Sequence, residues 1–535
     1  MTYRSFCQTN DEPAHIASGM EWLSRGTYTF EDTHPPLARI AVAAGPFLAG
    51  LKLHANDMWV GGHQILYDTG GYSRNLALAR LGILPFFFLA TFVVHAWGRR
   101  LFGEAAAVAS VFVFTMLPAV LGHAGVATTD LPVAATCAAA LYAFTRWLSE
   151  PTPKRSAVLG GAVALAVISK FTAILFLCAF GMAVLGLWRW CGSDRESGTG
   201  VSSSRRLASA GLAALVACII IWASYRFSIG TLATTSPPLH YARLDALVGS
   251  SGRLHDLGRL AIDAIPLPAP EFFRGLIEAQ QKESVAGGYY FLGKVREGRC
   301  WYFFLVVVGF KSPIAFLILA GIGVILLCKR LRADSDWQPV APVVAAISIL
   351  LVTMPVRIHA GIRHILIVYP LLSIAAGFGA VALWKVAVRR GPARVALMLL
   401  LVWLGVSSVG AHPDYLPYFN ELAGSHPERI LVDSDLDWGQ DLFRLEEALR
   451  IRKVGSLALS YFGTADPSRH NLPPFTKLSP YTPTTGWVAI SMFNLERGKP
   501  EGRFTWLEAY RPVALVGRSI RLYYIPRSCC ISQYK

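Results

Sequence analysis

Uncharged apolar runs long enough to cross a bilayer recur between residues 75 and 411, and nothing else constrains this chain as strongly. They read near 75–97, 104–122, 130–148, 157–170, 171–190, 207–227, 301–328, 340–355, 364–384 and 395–411. The pair within 157–190 is short and divides at Lys170. A spanning helix needs about 20 apolar residues. Composition agrees: mean hydropathy is +0.43 and only 16% of residues are charged, where a soluble protein carries about 25%. The fold class expected is an α-helical polytopic membrane protein with about ten spans.

The loops between runs alternate in charge. Arg99-Arg100, Lys154-Arg155, Arg189 with Arg205-Arg206, Lys329-Arg330 with Arg332, and Lys385 with Arg389, Arg390 and Arg394 fall on one side. By the positive-inside rule that side is cytoplasmic. The opposite side receives 1–74, the turns near 123–129 and 170, the loop 228–300, the turn 356–363 and the tail after 412. Met1 to Gln8 is too short and polar to be a signal segment, so an external Met1 predicts a further helix upstream and about eleven spans. The net charge of +16 is then explained by basic cytoplasmic loops and anionic headgroups rather than nucleic acid, for which the chain has no motif. Cys137, Cys178 and Cys218 lie inside apolar runs, as packing residues do. Cys529-Cys530 have no assigned role.

Three regions follow: 1–74 as a first external loop, 75–411 as the membrane domain with its loop 228–300, and 412–535 as an extracytoplasmic α/β domain. Between Gly50 and Tyr72 short interfacial helices are expected, with Trp59 at the interface. The loop 228–300 carries Pro237, Pro238, Pro266, Pro268, Pro270, a YARLDAL stretch and a turn at Gly287-Gly288; its length suits a lid or binding loop. After 412, 429–433, 456–460, 487–491, 513–516 and 520–524 read as strands, with a helix at 440–450. Asp433, Asp435 and Asp437 alternate as at the start of a calcium loop, but Arg444 occupies the required acidic twelfth position. An acidic turn capping helix 440–450 fits better than a metal site.

Polar residues gather at the external boundary. Asn10–Leu37 holds Asp11-Glu12, His15, Glu31-Asp32 and His34-Pro35-Pro36. Asp130 opens a span and Lys170 sits in an external turn. Asp130 also suits a helix cap, and Lys170 can snorkel. Arg357, His359, Arg363 and His364 crowd a turn that should be poor in cations. Snorkelling explains such arginines in part, but paired guanidinium groups at headgroup depth also make an anion site. Carboxylates serve as general base or metal ligand, and cations hold a phosphate leaving group. The set suits transfer from a lipid phosphate.

Asp11-Glu12, His15, Asp32, His34-Pro35-Pro36-Leu37, TTDLP at 128–132 and GIRHILIVYPLL at 361–372 resemble protein O-mannosyltransferases and lipid A aminoarabinose transferases. These are GT-C-fold glycosyltransferases that use polyprenyl-phosphate sugars. YFNELAG at 418–424 and DSDLDWGQDL at 433–442 look like a bacterial branch with an added outer domain. The resemblance implies catalysis by Asp11 and Glu12, with Asp11 as acceptor-activating base. Lys170, Arg357, Arg363 and His364 would bind the donor phosphate, and Asp32, His34 and Asp130 would support acceptor or metal. A divalent metal on Asp11 and Asp130 is the one cofactor it implies. Partners would be a polyprenyl-phosphate-sugar, a protein, lipid or glycan acceptor and membrane lipids, at the outward face of a bacterial inner membrane. The spacing Asp-Glu-x-x-His departs by one residue from the eukaryotic Asp-Glu-x-His. The alternative is a transporter of lipid-linked sugars, which would show internal repeats; none is evident.

Overall fold

The computed structural model describes residues 2–191, 202–233, 245, 252–285, 287–389 and 391–527. Met1, Pro237, Pro238, most of YARLDAL, Arg390 and Cys529-Cys530 lie outside the described residues. Among those described, seven helices are long and apolar enough to cross a membrane: Tyr72–Phe102, Asp130–Ser149, Thr172–Trp190, Ser203–Ser224, Ile314–Asp334, Val368–Val386 and Gly391–Gly410. Glu104–Thr115 and Pro118–Ala124, bent by 66°, make an eighth if they form one span.

The difference from ten has local causes. The run 301–328 still supplies one span, Ile314–Asp334, preceded by the short helix Phe303–Lys311, because Pro313 has no N–H for a continuous ladder. The bend after Thr115 falls where Leu117 is extended before Pro118. The runs 157–170 and 340–355 become Pro153–Val167 and Ala341–Thr353, of 15 and 13 residues, short of spanning length. Lys170 does lie in the turn between Pro153–Val167 and Thr172–Trp190.

Asp130–Ser149 is the most enclosed span, with 72% of its apolar window buried. Ser203–Ser224 and Gly391–Gly410 bury only 11% and 17%, leaving apolar flanks for lipid. Close approach in the bundle relies on small residues: a Cβ on Gly323 would meet the Ala375 carbonyl oxygen at 1.9 Å.

The C-terminal domain is a five-stranded sheet in the order 475–477, 457–460, 486–491, 520–525, 514–516. The first three strands are parallel and the last two pairings antiparallel, with Leu457 opposite Trp487 and Gly486 opposite Ile525. Alternation sends Leu457, Leu459, Ala489 and Leu522 to one face, against Leu442, Leu445 and Leu449 of the helix Leu442–Ile451. Ala458, Val488, Ile490 and Tyr523 face Met492, Leu495 and Leu507 on the other side.

The strand expected at 429–433 does not form. Pro427–Arg429 is a 3-10 turn and Asp433–Leu436 a single helical turn. Ile430 and Leu431 are instead buried in the core of the membrane domain, while Val432 joins the sheet domain's core. The turn expected at Gly287-Gly288 is displaced to Leu292-Gly293, in a hairpin of Tyr289–Phe291 and Lys294–Arg296. A helix does form around Trp59, Met58–Tyr67. The N-terminal segment is stitched to the C-terminal domain, since Cys7 N donates to Gln440 O at 3.1 Å and Asn10 N to Trp438 O at 3.0 Å.

Candidate active site

Asp11 is the residue before the helix Glu12–Arg25, which carries Pro13 in its first turn as fixed φ there allows. Its neighbour Glu12 has no exposure at all. Arg80 donates to both Glu12 oxygens, Nε at 2.8 Å and Nη2 at 2.7 Å, and Thr9 N and Ala127 N add bonds of 2.7 Å each. With both oxygens engaged and no surface, Glu12 anchors the chain beside Asp11 in this geometry. Arg80 further donates to the carbonyls of Tyr3, Phe6 and Cys7, so one buried ion pair sets the path of the chain into Asp11.

Asp11 keeps 29% of its side chain exposed and accepts from Arg363 Nη1 at 2.6 Å. Burial raises the Asp11 carboxyl, but the Arg363 guanidinium beside it more than offsets this and holds the group below its ordinary value. The Arg363 guanidinium lies 4.5 Å from the Trp438 ring centroid, so the C-terminal domain packs directly on the cation. The backbone here has little freedom: Gly361 has φ +73°, and a Cβ on it would meet Asp435 Oδ2 at 1.8 Å. Asp435 Oδ1 in turn accepts from Ile362 N at 3.1 Å.

Asp130 is 1% exposed, and its Oδ1 accepts from Lys170 Nζ at 2.7 Å. Its Oδ2 is buried with no hydrogen-bond partner among the described residues, as is His123 Nδ1. Thr129 precedes the helix with no side-chain cap bond, and the Asp130 carboxylate is engaged by Lys170. Lys170 retains 13% side-chain exposure.

The loop between Gly26 and Pro36 is shaped by Glu21, which accepts from Thr27, Thr29 and Phe30. Pro35 is extended and starts the helix Pro36–Leu48, placing fully buried Arg39 on Glu31. Glu31 also takes His34 Nδ1 at 3.2 Å and Lys282 at 2.5 Å. Despite burial, the His34, Arg39 and Lys282 side chains hold its carboxyl well below the usual range. Burial lowers both His15 and His34, Arg39 adding to the effect at each, so both imidazoles are neutral near pH 7. Asp32 faces Arg274 at 3.1 Å, yet burial pushes it up to about 7.

Two of the expected phosphate ligands are otherwise engaged or uncharged in this arrangement. Arg357 is exposed and spent on the neighbouring helix, Nη1 donating to Ser284 O at 2.8 Å and its N–H to Glu283. His364 is held neutral by burial and by the fields of Lys170 and Arg363, so it can donate a hydrogen bond but supplies no charge. The turn at 356–363 therefore contributes one cation to the site, Arg363.

For a metal the donor set does not fit. Among the described residues no group of three or more His, Cys, Asp or Glu is arranged to hold an ion. Asp11 and Asp130 each face a cation that a divalent ion would have to displace.

Residues that sequence reasoning passed over are Arg39, Arg80, Arg274, Lys282, Lys311 and Trp438. Arg80 and Lys311 lie inside apolar runs, and an ionisable group at such depth is itself a signal of a partner. Lys311 Nζ donates to the carbonyls of Leu416 and Asp435, again joining the two domains.

Solved structures similar to this chain include ArnT from Cupriavidus metallidurans bound to undecaprenyl phosphate, at 14% identity over 97% of this chain and 95% of that one, TM-score 0.48. The archaeal oligosaccharyltransferase AglB from Archaeoglobus fulgidus, in complex with an inhibitory peptide and a dolichol-phosphate, is 12% identical over 95% and 69%, TM-score 0.48. No curated protein matches. Residues 79–222, the stretch that supplies Arg80, Asp130 and Lys170, match the sequence model of the dolichyl-phosphate-mannose-protein mannosyltransferase family.

Proposed function

We propose that the Asp11–Arg363 and Asp130–Lys170 pairs form the active site of an inverting transfer from a polyprenyl-phosphate sugar. The chain is an integral membrane glycosyltransferase, and the reading of its chemistry rests on one observation. Two carboxylate–cation pairs sit side by side at one end of the bundle, close enough for Asp11, Asp130 and Arg363 to act on one another electrostatically.

In the resting arrangement Arg363 suppresses the basicity of Asp11. A donor phosphodiester carries one negative charge, as a carboxylate does, but its two free oxygens accept a bidentate guanidinium well and it gains further charge as it leaves. Its arrival draws Arg363 toward the phosphate and frees Asp11 to accept a proton. The acceptor hydroxyl then loses its proton to Asp11 as its oxygen bonds to the sugar C1. The C1–O electron pair leaves with the phosphate, whose charge Arg363 and Lys170 neutralise. Inversion follows from attack opposite the leaving group. Asp32 and His34 border the acceptor side, with His34 as a neutral hydrogen-bonding group.

The three regions 1–74, 75–411 and 412–535 serve as site loop, membrane domain and site-covering domain. The basic loops at the opposite end of the bundle support an outward-facing site in a bacterial inner membrane.

Purified full-length protein is incubated with radiolabelled polyprenyl-phosphate hexoses and pentoses and a crude envelope extract. Label should pass to an acceptor in the extract. Donor that binds and is never consumed in any extract would overturn the reading.

A further inference from the structure

Between the end of the helix Ser203–Ser224, the loop after Gly26 and the start of the helix Pro270–Ser284 lies a cavity of about 250 Å³. That is below the range usual for drug-sized ligands and suits a single small ring. Its walls bring together Trp22, Tyr28, Tyr225, Arg226, Ser228 and Glu271. The tyrosine rings meet edge-on at 6.0 Å. The Trp22 indole is fixed by its N–H to Ser224 O at 2.9 Å and by the Arg226 guanidinium, 4.1 Å from the ring centroid. Ser228 Oγ donates to Glu271 Oε2 at 2.7 Å and orients that carboxylate.

One wall group has no structural explanation. The Tyr225 hydroxyl is buried without a hydrogen-bond partner among the described residues, in a residue only 4% exposed. Burying a hydroxyl unpaired is unfavourable, and a ligand that pairs it removes the deficit. The surroundings narrow the ligand class. One guanidinium and one carboxylate cancel, so the cavity favours neither anions nor cations. Aromatic faces pack on C–H surfaces, while Tyr225 and Glu271 offer directed hydrogen bonds. Those are the needs of a neutral sugar ring. The position is apt as well, because Tyr28 Oη donates to His34 O at 2.5 Å and accepts from Arg39 Nη1 at 3.1 Å. A ring in the cavity is one tyrosine away from the Glu31–His34–Arg39 group.

We propose that this cavity is a neutral-saccharide subsite, with Tyr225 and Glu271 bonding the hydroxyls of one ring that belongs to either donor or acceptor. Its part in turnover rests on the transferase reading, whereas its binding does not.

Saturation-transfer NMR on the purified full-length protein tests binding directly. The probes are mannose, glucose, galactose and N-acetylglucosamine, with mannose 6-phosphate as the charged counterpart. At least one neutral sugar should give a signal that weakens about five-fold in Tyr225→Phe and in Glu271→Gln, the loss of one hydrogen bond. Tyr225→Phe should keep or raise Tm, since it deletes an unpaired hydroxyl. In the labelled-donor assay, a raised KM for donor assigns the ring to the donor, and a raised KM for acceptor assigns it to the acceptor. Either supports the subsite. Equal signals in wild type and both variants, or both KM values unmoved, would overturn it. If wild type transfers no label, the transferase reading fails and the NMR comparison still decides the subsite.

Discussion

Replacing Arg80 by methionine removes five hydrogen bonds from a position with no exposure: two to Glu12 and one each to the carbonyls of Tyr3, Phe6 and Cys7. Thr9 N and Ala127 N remain on Glu12, but its charge is left buried without a counter-ion. Breaking one side of such a pair costs about 3–5 kcal/mol. Three stranded carbonyls place this case at the upper end. That is a large share of the ~5–15 kcal/mol by which folded proteins are stable, and it falls on the segment that delivers Asp11. Cys7 provides the assay. It is fully buried, and burial pushes its thiol up to about 12, so in wild type it should resist maleimide. Peptide-resolved mass spectrometry should find Cys7 labelled rapidly in Arg80→Met, with Tm lowered. Arg80→Met with Glu12→Leu should recover much of the loss, because removing both charges of a buried pair is far less costly than removing one. The reasoning is refuted if Arg80→Met leaves Cys7 protected and Tm unchanged, or if the double variant is no better than the single.

Three further outcomes are expected. Trp438→Leu removes the ring from Arg363; a contact of roughly 0.5–2 kcal/mol translates to a loss of about two- to thirty-fold in kcat, and unchanged turnover would count against a positioning role. Gly361→Ala forces a Cβ onto Asp435 at φ +73° and should lower both Tm and transfer, as measured side by side; retention of both would show that the turn relaxes freely. Burial pushes the Asp437 carboxyl up to about 8 from its ordinary 3.8, against bonds from Phe493 N and Gly439 N. The folded state then holds a proton that the unfolded chain has released, so this contribution to stability is full below about 4 and fades as pH rises toward 8. Tm should fall from pH 5 to pH 8, and the fall should be smaller in Asp437→Asn.

The membrane helices were legible because hydropathy over some 20 residues is a strong signal, and Lys170 marked a true turn. The bend at Pro118 and the shortness of Pro153–Val167 and Ala341–Thr353 changed the number of spans without moving the runs themselves. Asp11, Asp130, Lys170 and Arg363 were found as polar residues at span ends and do converge. At two charged positions the fold adds surroundings that the sequence did not show. Glu12 looked equivalent to Asp11 in sequence, but only the fold reveals that Arg80, 68 residues later, absorbs it. Arg357 looked equivalent to Arg363, yet the six-residue interval sends one to a neighbouring helix and the other to Asp11. The segment 429–433 has a strand's composition, and long-range burial of Ile430 and Leu431 overrode that local preference. Trp438 carried no signal, since its contact with Arg363 depends on a domain-to-domain packing that no local pattern encodes.

Asp11→Asn tests the central claim most directly. Asparagine keeps an acceptor oxygen for Arg363 and the local shape, while it cannot take a proton from the acceptor. With labelled polyprenyl-phosphate sugar and envelope extract, transfer should drop by about 10²–10⁴-fold, with donor binding and Tm close to wild type. Wild-type turnover by Asp11→Asn would contradict the account.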